Sequence, residues 1–445
     1  MATALVILAA GKGTRMKSDL PKVLHPLAGV PILAHAMQAG AALAPERTVI
    51  IAGHGAEQVE KAAHAIDPDL SVALQTEQLG TAHAVAQAAP ALGGFSGDVF
   101  VLYGDTPFIG ADTLRRMAEA RARHDVVVLG FEAADPGRYG RLVMAGEQLE
   151  RILEFKDATD AEKAITLCNS GVVCADAETL FSLIDAVDCD NAAGEYYLTD
   201  IVGLAQARGL SATAVSCDEA ETLGINSRAD LAAAEAAFQA RARTAALDGG
   251  VTLSAPETVH FALDTVLGPD TVVEPYVVFG AGVTVEGGAQ IRAFSHLEGC
   301  RVAAGAVVGP YARLRPGADL DQGARVGNFV EIKNARLGVG AKVNHLSYVG
   351  DADVGAGSNI GAGTITCNYD GVMKHRTEIG ENVFVGSSTM LVAPVRLGDG
   401  SMTGSGSVIT ENVPDGALAI GRARQVTKPG LAMKLFDMLK LKARK

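Results

Sequence analysis

Tryptophan is absent from this 445-residue chain, and aromatic residues of every kind amount to only 5%, which excludes a core built on large rings. Charge of one sign is short as well. Lysine and arginine number 38 against 51 acidic residues, a formal net charge of −13, so the molecule as a whole repels nucleic acid and anionic membrane. Any anionic substrate therefore needs a local basic pocket. No apolar run approaches the roughly 20 residues that cross a bilayer. The opening MATALVILAAGKG reaches glycine and lysine after one short run and has no charged segment before it, unlike a signal peptide. A cytoplasmic protein without stable membrane insertion is the expectation. The six cysteines, Cys168, Cys174, Cys189, Cys217, Cys300 and Cys367, form no C-x-x-C pair and have no histidine at metal-ligand spacing. Reduced thiols, mostly packing residues, are expected rather than a disulfide framework or a zinc site.

Glycine is abundant, at 51 residues, and the length favours about two or three domains over one core. Two halves follow different grammars. From residue 1 to 227, β-rich runs such as ALVILAA, TVIIAG, DVFVLYGD and VVVLGFE alternate with helical stretches such as PILAHAMQAGAALA and TLRRMAEARARH, which predicts a mainly parallel sheet flanked by helices. Ligands bind such sheets at the carboxyl ends of strands, where LAAG and YGD fall. Residues 228–248 are rich in alanine and carry neither proline nor glycine, predicting a helical arm. From 249 to 445 the period becomes six: Leu267, Val273, Phe279, Val285, Ile291 and Leu297 begin a series that continues, with occasional steps of five, to Ile409. Extended rungs joined by tight corners give a parallel β-helix whose coils touch only their neighbours. An antiparallel sandwich would place turns about 8–12 residues apart. The interruption around TCNYDGVMKHRT is expected to protrude as a loop, and loops on rigid scaffolds carry function. The tail LAMKLFDMLKLKARK reads as a short amphipathic basic helix, a capping terminus in preference to a membrane or partner contact.

The turn LAAGKGTRM matches neither G-x-G-x-x-G nor G-x-x-x-x-G-K-[ST]. Gly11 and Gly13 would still offer backbone N–H groups to phosphate, with Arg15 as a charged fork and Lys22 as a point charge. Asp105, after a buried strand, suits either a helix cap or a Mg²⁺ ligand beside waters and phosphates. In the second half, His345, Tyr348, Asn359, Asn368 and Tyr369 exceed what stacking of rungs requires. Arg315 and Lys333 on earlier coils form a cation pair suited to phosphate.

LAAGKGTRM, LPKVLHPLAG, QLGTAHA, YGDTP, YGR, EFKDAT, CNSGVV and LGIN together resemble the sugar-nucleotide pyrophosphorylases. With RLRPGA, GNFVEIKN, NHLSYVGDA and NIGAGTITCNYDG on the β-helix, nearly the whole chain resembles the bacterial bifunctional N-acetylglucosamine-1-phosphate uridylyltransferase and glucosamine-1-phosphate N-acetyltransferase family. The resemblance implies an α/β chain: a Rossmann-like nucleotidyltransferase domain joined by a helical arm to a left-handed parallel β-helix of hexapeptide repeats. It implies that Leu8, Ala9, Ala10, Gly11, Arg15, Lys22, Gln75, Gly80 and Thr81 contact UTP, with Gln75 or nearby backbone reading the uracil edge. Tyr103, Gly104, Gly140, Glu154 and Asn169 would surround N-acetylglucosamine-1-phosphate, and Asp105 and Asn226 would hold Mg²⁺.

For the second site the resemblance implies that Arg315, Lys333, Tyr348 and Asn359 hold glucosamine-1-phosphate, with Lys374 added. Asn368 and Tyr369 match sugar-phosphate contacts and are also counted in the acetyl-CoA set, with Ala362, Ser387, Ser405 and Arg422, Ser405 through its backbone. An ammonium cannot attack a thioester, so a neutral imidazole must take its proton, and His345 is the expected general base. Cys367 adjoins no basic residue that would lower its pKa, and direct transfer needs no acyl-enzyme. The family also implies a bacterial homotrimer whose neighbouring subunits complete each acetyl site. The rivals are a single-activity pyrophosphorylase with a regulatory β-helix and a non-enzymatic β-helix scaffold. Neither accounts for His345, Arg315 and Lys333 together.

Overall fold

The computed structural model describes residues 2–443, so the last two residues of the basic tail lie outside it. The chain divides between Gln239 and Ala240 into two compact units. That division falls inside the helix Arg228–Asp248, not at either end of it.

In the first unit the central sheet runs in the order Ala212–Cys217, Val126–Glu132, Leu167–Asp176, Asp98–Tyr103, Thr3–Ala9, Arg47–Ala52, Ser71–Leu74. Neighbours are parallel except Leu167–Asp176, which is antiparallel to both of its partners. It carries a register shift between Asn169 and Val173. A hairpin, Arg141–Ala145 with Gln148–Leu153, leaves the sheet beside it. The near-continuous apolar strands are buried on both faces, as βαβ crossovers require: Val6, Val101 and Val128 pack in one layer, Ile7, Phe100 and Leu129 in the other. The start of the long helix seats Ala234 against Leu27, Ile32, Phe108 and Ile225.

The second unit is a prism of stacked coils with three faces. The first stacks Val272–Val273, Gln290–Ile291, Val307–Val308, Arg325–Asn328, Lys342–His345, Asn359–Ile360 and Phe384–Val385, all parallel. Its inward residues Val273, Ile291, Val308, Val326, Val343, Ile360 and Val385 are buried, each contributing about 1.5–3 kcal/mol relative to exposure. The second face carries Arg313–Leu314, Glu331–Ile332, Tyr348–Val349 and Ile365–Cys367. The third carries Asp319–Leu320, Arg336–Leu337, Asp353–Val354 and Thr377–Ile379. The loop expected near residue 370 leaves the prism after Cys367, folds on a Tyr369–Lys374 bridge, and returns at Thr377. The tail forms an exposed helix, Leu431–Lys442.

Candidate active sites

At the carboxyl ends of Thr3–Ala9 and Asp98–Tyr103, Leu8, Ala9, Ala10, Gly11, Lys22, Gln75, Gly80, Thr81, Tyr103 and Asp105 line one cleft of about 330 Å³, within the range of small-ligand sites. Gly104 donates its N–H to the Leu8 carbonyl at 2.9 Å, tying the two strand ends together. Gly13 has φ +59°, and a side chain there would sit 2.6 Å from Lys22 Cβ, so glycine lets the turn close over the root of the lysine. Gln75 is buried, and its amide donates to the Gly80 carbonyl at 3.2 Å and contacts His83 Nδ1 at 3.1 Å. Its side-chain nitrogen thus holds the loop at Gly80. Arg15 stands exposed on the single turn Thr14–Met16 and is not in the cleft wall. Gln78 and Glu195 are in that wall and were missed by the sequence reading. Gln78, three residues after Gln75, was within reach of inspection, but Glu195 arrives from a distant loop with no motif.

Lys22 Nζ is the hub of this cleft. It donates to Asp105 Oδ2 and, at 3.0 Å, to Asn226 Oδ1. Asp105 and Asn226 are held together by the Ile225 N–H donating to the Asp105 carbonyl at 2.9 Å, while Asp230 accepts the N–H groups of Asn226 and Ser227 at 3.0 and 2.9 Å. Two hard oxygens therefore converge on one cation, as a Mg²⁺ seat completed by phosphates and water requires. The donor set fits that ion.

Deeper along the sheet, Tyr103 and Asn169 line a small pocket with Ile152 and Thr199. The Tyr103 ring lies so near Gly171 that a side chain there would sit 2.6 Å from it. The Gly140 carbonyl accepts the Asn169 N–H at 2.8 Å. Glu154 accepts from Thr199 Oγ1 at 3.1 Å, and burial pushes its carboxyl pKa up. Asp200 is raised to about 6, first by burial and then by Asp188, Glu154 and Asp157. Arg141 is almost wholly buried and has no carboxylate partner among the described residues; its guanidinium donates to the carbonyls of Pro136, Gly137, Tyr139 and Lys163, fixing the segment that ends at Gly140.

On the prism, His345 ends a first-face strand and Tyr348 begins the next second-face strand, with Leu346 at φ +50° turning the corner. His345 Nδ1 lies 2.9 Å from Asn328 Oδ1, its register partner on the previous coil. An amide oxygen only accepts, so the contact selects the tautomer with the proton on Nδ1, which in the neutral ring leaves the lone pair on Nε2. Asn328, which lies inside GNFVEIKN, is a partner of His345 that the sequence reading did not single out. With Asn344, Arg292 and Arg325 it lines a cavity beside His345. The same corner continues through Ala362, Ser387 and Ser405: Gly363 donates to the His345 carbonyl at 3.3 Å, Ser388 to Ala362 at 2.7 Å and Gly406 to Ser387 at 2.8 Å. Arg422 reaches it too, its Cδ 3.7 Å from where a Gly406 side chain would start. In the opposite direction this edge is an exposed ladder of stacked rings, Tyr276, Phe294, Tyr311 and Phe329.

Arg315, Lys333 and Lys374 gather at the other border of the second face. Lys374, then Arg315, pushes the Lys333 pKa down, the mark of like charges crowded together. Arg315 also donates to Glu331 at 2.8 Å. Asn368 is buried and donates to Asp351 and, at 3.5 Å, to Tyr348 Oη. Burial alone would raise the Asp351 pKa, but hydrogen bonds from Asn334 and Asn368 and the charges of Lys374 and Lys333 leave it lowered. Asn359 is not brought to this group; it begins a first-face rung beside Lys342 and Phe384. Tyr369 is exposed, its hydroxyl donating to Gly371 at 2.6 Å. Burial raises the Cys367 thiol pKa, unlike an activated nucleophile.

A nucleotide-type cleft on a parallel sheet and a coiled prism bearing an oriented imidazole define a two-part transferase. Residues 5–171 match the MobA-like NTP transferase domain, and residues 376–411 match the bacterial transferase hexapeptide (six repeats). The "Bifunctional protein GlmU" of Ruegeria sp. (strain TM1040) is 70% identical over 442 residues, covering 99% of this chain and 98% of that one. The proteins of that name from Roseobacter denitrificans and Jannaschia sp. (strain CCS1) are 68% and 66% identical, covering 100% and 98% of this chain and 99% and 96% of theirs. The chain belongs to the family of bifunctional GlmU proteins.

Proposed function

We propose that this chain catalyses two consecutive transfers in UDP-N-acetylglucosamine synthesis. The β-helix, residues 249–445, moves the acetyl group of acetyl-CoA to the amine of glucosamine-1-phosphate. The domain of residues 1–227 moves UMP from UTP to the N-acetylglucosamine-1-phosphate formed, releasing pyrophosphate, and residues 228–248 link the two. The observation that carries two activities over one is the placing of an oriented imidazole at one border of the second face and a trio of crowded cations at the other. A phosphate docked on Arg315, Lys333 and Lys374 relieves their repulsion, and Tyr348 stands on the face that leads back to His345. There Nε2 takes a proton from the substrate ammonium; the freed amine attacks the thioester carbonyl, the C–S bond breaks, and the second proton lost from nitrogen ends on the departing thiolate of coenzyme A. Ala362, Ser387, Ser405 and Arg422 follow along the edge as the track for acetyl-CoA.

At the other site Gly11 and the surrounding turn offer N–H groups to the triphosphate, and Tyr103, Gly140, Glu154 and Asn169 surround the sugar. Asp105 and Asn226 are the residues that would hold Mg²⁺, which when bound neutralises phosphate charge. In-line attack of the sugar phosphate on the α-phosphorus then depends on positioning and charge, with Lys22 supplying a cation from the protein. The position of Asn359 on another face supports a homotrimer in which a neighbouring copy supplies this residue. Among the described residues no helix is long and apolar enough to cross a membrane, and the substrates are metabolites of the bacterial cytoplasm, the location we assign.

The test follows thiol release from acetyl-CoA and pyrophosphate release from UTP on the same preparations. His345→Ala is expected to lose the first and keep the second. Wild-type protein that releases no thiol would leave the β-helix a scaffold.

A further inference from the structure

We infer that Lys22 keeps the metal seat closed in the free enzyme: its ammonium occupies the point between Asp105 and Asn226 and leaves only when a divalent ion arrives together with nucleotide phosphates. The inference rests on assigning Asp105 and Asn226 as the metal ligands.

The geometry of Lys22 fits a two-position cation. Its backbone is fixed in the turn Lys22–Leu24, and its Cβ sits under Gly13. The head group lies on the two oxygens, with the side chain 11% exposed, and the same residue lines the cleft beside Gly11. Rooted at one end, the four-carbon stem is free to carry the charge from one anionic partner to another. The seat is also weak. Among the described residues no three His, Cys, Asp or Glu side chains group as a metal site, and of the two assigned ligands only Asp105 carries charge, which the Lys22 ammonium already pairs. A bare ion must displace that ammonium and leave it without a counter-charge. An ion carried on a triphosphate brings the counter-charge with it, because the phosphates give Lys22 a second home. Metal and nucleotide binding are thereby coupled, and removing the lysine removes the coupling.

The experiment uses the full-length protein and Mn²⁺ as the probe, with free ion read by electron paramagnetic resonance. Without nucleotide, Lys22→Met is expected to bind Mn²⁺ about tenfold more tightly than wild type. The gain should disappear in Lys22→Met combined with Asp105→Asn. Lys22→Gln, which keeps much of the stem, is run alongside so that altered packing under Gly13 is not mistaken for an opened seat; it should show the same gain. Unchanged or weaker Mn²⁺ binding in both lysine variants overturns the closed seat. The metal assignment is read separately with UTP present, where Asp105→Asn should abolish enzyme-dependent capture of the Mn²⁺–UTP signal. Capture that survives Asp105→Asn overturns the assignment, and the inference with it.

Discussion

Asn328→Ala isolates the orientation of the proposed base from its presence. Asn328 and His345 are register partners on adjacent coils, so the backbone is held by the ladder whether or not the amide is there. What the substitution removes is the 2.9 Å contact to Nδ1, which holds ring angle and tautomer on an otherwise exposed side chain. A hydrogen bond of this kind contributes about 1–2 kcal/mol, which corresponds to about 5–30-fold in rate if it is fully expressed in the transition state. The loss should appear in kcat for thiol release and not in KM for either substrate, because Asn328 acts through His345. Pyrophosphate release by the same preparation is the internal control and should not change. A kcat within twofold of wild type, or equal losses in both activities, would refute the view that Asn328 orients the imidazole.

Gly80 has φ +126°, and a side chain there would collide with the Tyr196 carbonyl. Gly80→Ala should cost about 1–3 kcal/mol locally, raising KM for UTP and leaving thiol release intact, as parallel assays would show. Cys367→Ala should keep thiol release within about twofold, since burial holds the thiol protonated and direct transfer needs no nucleophile; a large loss would reopen an acyl-enzyme. For Asp200, raised to about 6, the folded state holds its proton more tightly than the unfolded chain. Its stability contribution is therefore full below about pH 4 and is lost as pH rises through about 6. Asp200→Asn should stabilise the protein by about 1–2 kcal/mol above pH 6, after allowance for solvent screening, and by nothing near pH 4. Thermal melts across that range test the sign, and a stabilisation largest at low pH would contradict it.

The fold was legible because its two periods leave different marks. Alternating strands and helices predict the parallel sheet, though the antiparallel Leu167–Asp176 is hidden, since its buried apolar stretch from Val172 to Ala175 has no direction. The six-residue period predicts which residues point inward, yet it does not say which corners align. Alignment needs the coil length, and the steps of five make successive coils unequal. His345, Ala362, Ser387 and Ser405 read as separate residues until the Gly363, Ser388 and Gly406 amides join them into one edge. The same count hides the four stacked rings, because left-handed corners usually favour glycine or asparagine, and an aromatic at φ near +60°, such as Tyr276 or Phe294, carries no sequence signature. Stacking offsets part of that backbone cost. Beyond Leu346, the corner residue after His345, the edge continues through Gly363, Ser388 and Gly406, so side-chain bulk falls where the proposed acetyl-CoA track begins. Function on this prism therefore depends on what each corner leaves out as much as on the polar groups it presents.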